Sequence, residues 1–155
     1  MREAARRRPF PSDEAGFTLL ELMIVVAIIA IIAGILVPNF FHARAQAAVS
    51  ACQANLRSIA TAAELAYTDS LKYAEAGVVD RSFGSKSAPG RYLTQKPVDP
   101  ANATGSYTFA PNADGTGYTI ACPGGHDPAA MSNIPGNGPG LTSIVYDSTQ
   151  GLTAK

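Results

Sequence analysis

Tryptophan is absent, and histidine and cysteine number two each in a chain of 155 residues. Nucleophilic catalysis of the Ser/His/Asp or Cys/His kind would have to use His42, at the end of a long apolar run, or His126, in a glycine-rich loop. Neither setting suits it, so no catalytic residue and no cofactor is expected. Two cysteines allow one disulfide at most. Excess charge of either sign is also lacking, with 12 basic residues against 12 acidic. That balance gives no field for nucleic acid, and no nucleic-acid partner is expected.

What is present is concentrated at the N-terminal end. Arg2, Arg6, Arg7 and Arg8 crowd the first positions, and the next arginine is Arg44. Between them, only Thr18 and Glu21 interrupt an apolar run from Phe17 to Val37. A helix needs about 20 apolar residues to cross a bilayer core, so this segment is long enough to span one. Basic residues ahead of a span keep the N-terminus cytoplasmic, which sends everything after Pro38 across the membrane. Cys52 and Cys122 then lie where disulfides are permitted. An ordinary secretory signal has a shorter apolar region that ends at a small-residue cleavage site, whereas this one runs on into helix.

Residues 1–16, with Pro9 and Pro11, read as a polar leader that packs on nothing. From Phe17 to about Leu71 the run of Leu, Ile, Ala, Gln and Arg predicts one long helix, interrupted only by Gly34 and Pro38. Pro38 has no N–H for the carbonyl of Gly34, so a kink or soft point is expected there. Beyond it, Phe41, Ala45, Ala48, Cys52, Leu56, Ile59, Ala63 and Ala66 recur at spacings of three and four, opposite a polar stripe from Gln46 to Thr68. The helix is thus apolar all round in its first half and amphipathic in its second. Three parts follow: leader 1–16, membrane and assembly helix 17–38, and a head 39–155 that includes the amphipathic half.

After the helix, Gly77 and the segment Ser82 to Gly90 mark a loop. Tyr107 to Phe109 and Tyr118 to Cys122 alternate with period two around Asn112-Ala113-Asp114-Gly115, which predicts a hairpin. Leu141 to Tyr146 is a third strand candidate. Pro123 to Gly140 is full of glycine and proline and reads as an irregular surface loop. Its glycines from Gly136 to Gly140 follow no strand and open no helix, so they make no phosphate cradle. Asn102-Ala103-Thr104 fits a glycosylation sequon, a pattern common by chance. The fold class is α+β, one long helix packed on a small antiparallel sheet.

The sharpest feature is Gly16-Phe17-Thr18-Leu19-Leu20-Glu21, a lone carboxylate within an apolar run. A charge near the edge of the hydrocarbon costs a few kcal/mol, on the order of 3, unless it is paired. A cut after Gly16 would create a positive amine on Phe17, and staggered neighbours could bring that amine to Glu21 in one register only.

Gly16 to Glu21 followed by a long apolar helix resembles the prepilin cleavage and methylation motif of type IV pilins and type II secretion pseudopilins. The resemblance implies a pilin fold and a structural filament subunit. It implies a prepilin peptidase that cuts between Gly16 and Phe17 and methylates Phe17, with Arg6 to Arg8 as the basic leader, and Pro38 as the counterpart of the family's kinking proline. Implied partners are identical or homologous subunits, that peptidase, inner-membrane assembly machinery and the lipid bilayer. The chain would be a single-pass inner-membrane protein with its head outside the cytoplasm, then part of an extracytoplasmic filament. Tyr92-Leu93, Pro97-Val98-Asp99-Pro100 and Gly105-Ser106-Tyr107 look like the segment leading into the sheet of major pseudopilins. The tail departs from the pattern, because Pro123 to Gly140 does not match those proteins' acidic calcium loop. Cys52 lies in the helix, so the cysteine pair that closes the C-terminal loop of many pilins has no counterpart. A pilus subunit, a secretion pseudopilin and a single-span anchor for a small binding domain are the readings to separate.

His42, Cys52, Cys122 and His126 are all ligand types that zinc takes, and Cys122 with His126 has a plausible local spacing. His42 and Cys52 lie ten apart on a helix and face different ways, so no metal is expected, and packing or a disulfide is the alternative. Cys52 precedes Leu56 and Ile59 in the apolar stripe, while Cys122 alternates with Ile120 and Tyr118, so both thiols face the core. A Cys52–Cys122 bridge follows if their heights agree; two separate buried thiols follow if they do not.

Overall fold

The computed structural model describes residues 16–85, 87, 89–138 and 140–155. The leader expected at 1–16, Gly16 excepted, lies outside the described residues. The chain divides into two units, Met1–Pro38 and Asn39–Lys155.

Among the described residues one α-helix, α1, runs over Leu19–Ser70 and continues through Pro38 without a break. Leu, Ile, Ala, Gln and Arg dominate it, residues that lose little freedom in a helix. It closes at Leu71, which takes a left-handed φ of 55° and donates its N–H to the carbonyl of Tyr67 at 2.7 Å. In the first unit every side chain from Phe17 to Val37 is exposed, Phe17 to 93%. Among the described residues α1 is the one helix long and apolar enough to cross a membrane.

In the second unit α1 buries Val49, Cys52, Leu56, Ile59, Ala60, Ala62, Ala63 and Ala66. The apolar stripe is therefore shorter than its sequence suggests: Phe41 is exposed and Ala45 and Ala48 only half-buried, so burial begins with Val49. Among the described residues, five short strands form an antiparallel meander in chain order: β1 Gly77–Val78, β2 Thr108–Pro111, β3 Tyr118–Ala121, β4 Ile144–Asp147 and β5 Gly151–Ala154. The β2–β3 turn is the expected Asn112–Gly115 segment, with Asn112 N–H on the Gly117 carbonyl at 2.8 Å. Phe109 faces Ile120 across β2–β3, and Ile120 faces Tyr146 across β3–β4.

Phe109, Tyr118, Ile120 and Ile144 from the sheet join Cys52, Leu56, Ile59 and Ala63 from α1 in one core. Full burial of a Leu or Ile side chain stabilises by roughly 1.5–3 kcal/mol, a gain that Leu56 and Ile59 on the helix and Ile120 and Ile144 on the sheet each make. The hydroxyl of Tyr118 donates to the Ala60 carbonyl at 3.4 Å, which satisfies a polar group inside that core.

The third strand starts at Ile144, later than Leu141, and β1 and β5 were not expected. Both unexpected strands are edge strands with little alternation of their own; they form because β2 and β4 offer unpaired backbone groups. The segment Pro123 to Gly140 is also more than a surface loop. It contains the 3-10 turn Pro128–Met131, opened by Asp127 Oδ1 accepting from Ala129 N–H at 2.9 Å. It buries His126, Ala130, Met131 and Ile134.

Candidate functional site

Two places carry chemistry, one in each unit. In the first, Thr18 and Glu21 close a reciprocal cap at the start of α1. Glu21 N–H donates to Thr18 Oγ1 at 3.1 Å, while Thr18 N–H and the Thr18 hydroxyl both donate to Glu21 Oε2 at 3.0 Å. This is a capping box, in which two backbone donors without helical partners are satisfied at once. Glu21 was expected to need a partner from another subunit, and the structure supplies one within the chain. Both Thr18 contacts fall on Oε2, so Oε1 keeps acceptor capacity for a cation. Phe17 and Gly16 are exposed ahead of the cap, and a Cβ added to Gly16 or Gly34 would meet nothing within 4 Å.

In the second unit, Cys52, Asp99, Cys122 and His126 bring one ligand atom each to within 4.8 Å of one another, and all four residues are buried. Asn55, one turn after Cys52, places Asp99: its Nδ2 donates to the Val98 carbonyl at 2.9 Å and to the Tyr107 hydroxyl at 3.1 Å. Asp99 Oδ1 accepts from Ala101 N–H at 2.8 Å. Cys122 directly follows β3, with its N–H on the Ile144 carbonyl at 3.0 Å and its Sγ accepting from Ile144 N–H at 3.2 Å. Gly124 and Gly125 then take φ of 81° and 90°, a sharp reversal that side chains resist, and it returns His126 to Cys122. Asn102 fastens the turn: it accepts from Gly105 N–H at 3.0 Å and donates to the Pro123 carbonyl at 3.3 Å, so the sequon's amide is already engaged.

The electrostatics of this cluster are coupled. The hydrogen bond between the two thiols pushes Cys52 up, with burial adding to it, and lowers Cys122. The two titrate as a pair. Burial alone would lower His126, but Cys122 and Asp99 outweigh it and raise the imidazole. His126 Nε2 lies 3.1 Å from Asp99 Oδ2, both side chains fully buried. Their alignment is poor, and neither atom nor His126 Nδ1 has a hydrogen-bond partner. An unmade hydrogen bond at a buried polar group costs about 1–3 kcal/mol, more for a charged one.

Of the ligand types weighed in the sequence, the structure unites Cys52, Cys122 and His126 and leaves His42 exposed and apart. The two cysteines stand there as free thiols, without a bridge. The expectation of no metal rested on His42 and Cys52 facing different ways; here Asp99 rather than His42 joins Cys52, Cys122 and His126, and the loop that carries His126 folds inward. Two residues were missed. Thr18 was legible from the Thr-x-x-Glu spacing; Asp99 had no local signal, since its partners come from distant segments.

The N-terminal region, residues 11–37, matches the family model of the prokaryotic N-terminal methylation motif. The chain is 34% identical over 108 residues to the type IV wide pilus major component PilA4 of Thermus thermophilus, covering 70% of this chain and 81% of that protein. It is 30% identical over 97 residues to the type II secretion system core protein G of Pseudomonas aeruginosa, covering 57% of this chain and 68% of that one. Against the type IV major pilin PilA of Myxococcus xanthus identity is 43% over 66 residues, 43% of this chain but 30% of that protein's length. No solved structure matches it significantly.

Proposed function

The chain belongs to the type IV pilin and type II secretion pseudopilin family as a prepilin-type structural subunit, and from that premise we infer that it is cut after Gly16, methylated on Phe17 and polymerised through α1 into a pilus-like filament. The observation that carries this reading is a 21-residue apolar face, Phe17 to Val37, exposed in the isolated chain and headed by the methylation motif. A surface so apolar demands lipid or other helices.

Before assembly, residues 17–38 sit in the inner membrane with Arg2 and Arg6 to Arg8 on the cytoplasmic side and the head 39–155 beyond it. The peptidase acts at the Gly16–Phe17 bond, where glycine leaves the scissile peptide unobstructed. The new Phe17 amine of one subunit then meets Glu21 Oε1 of another, a contact that repays desolvation in one register only. Gly34 and Pro38 form a soft point: proline withholds the N–H that the Gly34 carbonyl would accept, so the helix can extend there during assembly at little cost. A pilus is preferred over a secretion pseudopilus because the relative named as a pilus component is matched over more of both chains.

Mass spectrometry of sheared filaments tests the reading. The mature chain is expected to begin at methylated Phe17, and Gly16→Val should leave the full-length precursor in the membrane fraction. Filaments whose subunits begin elsewhere would sink the cleavage site, and a membrane-extracted protein that never pellets as polymer would favour the single-span anchor.

A further inference from the structure

We propose that Cys52, Asp99, Cys122 and His126 form a closed four-ligand site for zinc inside the head, a role independent of filament assembly. Two sulfurs, an imidazole and one carboxylate are the donors that zinc takes in tetrahedral sites, whereas calcium and magnesium take oxygen throughout. Bonds of about 2.0–2.3 Å to one tetrahedral ion put ligand atoms roughly 3.3–3.8 Å apart. The four atoms here, all within 4.8 Å of one another, need only small side-chain adjustments to reach that shell.

The orientation of the polar atoms supports a common centre. Asp99 Oδ2 and His126 Nε2 are 3.1 Å apart, fully buried and yet misaligned for each other. Atoms that converge on a shared point have this relation. The surroundings hold the ligands from behind: Ala101 N–H fixes the other Asp99 oxygen and Ile144 N–H points at Cys122 Sγ. The Tyr107 hydroxyl accepts from Asn55 and has its own proton for Cys52 Sγ beside it. These donors offset the net negative charge that two thiolates and a carboxylate leave around a divalent ion. His126 Nδ1 is the one ligand-side atom without a support.

A disulfide would use the same two sulfurs and exclude the ion. It accounts for the cysteines but leaves a buried Asp99–His126 pair that is close yet makes no aligned hydrogen bond. Zinc accounts for all four residues. Since all four positions are filled by protein, the site is structural, tying α1 to the segment before β2, the end of β3 and the loop after it.

The test uses the full chain in detergent, purified without chelator. Elemental analysis should find one zinc per chain with both thiols reduced, and cobalt exchanged into the site should show thiolate charge-transfer and tetrahedral d–d bands. Cys52→Ser and Asp99→Asn each remove a ligand and should weaken zinc binding by at least about 100-fold, the upper end of what loss of an outer-shell support costs, while the nearly isosteric asparagine keeps the head folded. Glu21→Val should bind zinc as the parent does, whatever happens to its filaments. Reduced parent protein without zinc and without the cobalt charge-transfer band would overturn the site. So would a Cys52–Cys122 bridge in the isolated protein, or zinc binding that neither substitution weakens.

Discussion

Residues 19–37 and residues 49–66 belong to the same helix, yet the first set, apolar all round, is exposed on every side and the second, amphipathic, is buried along one face. The difference lies in what surrounds them. The second segment alternates its apolar stripe with Gln, Arg, Thr and Glu and finds a sheet from its own chain; the first has no polar face and is exposed along its whole length. One half of α1 is stabilised by folding; under the proposed function the other is stabilised by its environment, lipid before assembly and neighbouring helices after it.

The contrast breaks most sharply at Leu56. Leu56→Asp buries an unpaired charge in the core, and circular dichroism of the full chain in detergent should show the head unfolded, a loss of more than about 4 kcal/mol. Leu36→Ala, in the exposed half, should leave the head's melting within about 0.5 kcal/mol of the parent, while weakening filaments in electron micrographs. Equal effects from the two would end the division of labour.

Next is Glu21, where cap and charge can be separated. Glu21→Val removes both, and should insert as well as or better than the parent while yielding few sheared filaments. Glu21→Gln keeps a capping partner for Thr18 but no charge. If the register contact is ionic, the glutamine variant should assemble as poorly as the valine one; normal filaments from glutamine would reduce Glu21 to a helix cap.

Smaller effects belong to the loop over the end of α1. Gly84 has φ 74°, and a Cβ there would lie 2.8 Å from Ala66 Cβ and 2.9 Å from the Tyr92 ring. Gly84→Ala should therefore cost the head about 1–3 kcal/mol in thermal melting. Asp69 pairs with Arg91 at 2.9 Å and accepts from the Tyr92 hydroxyl at 2.8 Å, but both charged side chains are about half exposed. Asp69→Asn should change stability by less than about 1 kcal/mol, and less still at high salt.

The long helix, the β2–β3 hairpin and the two-part character of α1 were legible because each depends on neighbours in sequence: apolar periodicity, turn residues, a proline. Thr18 belongs with them, since its capping partner is three residues away. β1 escaped because two residues carry no period, and β5 because its four residues are half-buried without alternation; each exists only where another strand offers an edge. His126 was misjudged for a related reason: a glycine-rich segment reads as solvent-exposed, and nothing local announces that Ala130, Met131 and Ile134 will pull it into the core.

By itself, the sequence determined that this protein has a helix too apolar to stand alone, a cleavage and methylation motif at its head, and an α+β domain behind it, because those properties reside in contiguous residues. Only the tertiary structure decided that Cys52, Asp99, Cys122 and His126 meet. Their meeting depends on the height of α1 against β3, on the reversal at Gly124 and Gly125, and on Asn55 holding the segment before Asp99. Heights and reversals of that kind are set by the packing of the whole core, in which a shift of one helical turn would leave every local pattern intact and move Cys52 out of reach.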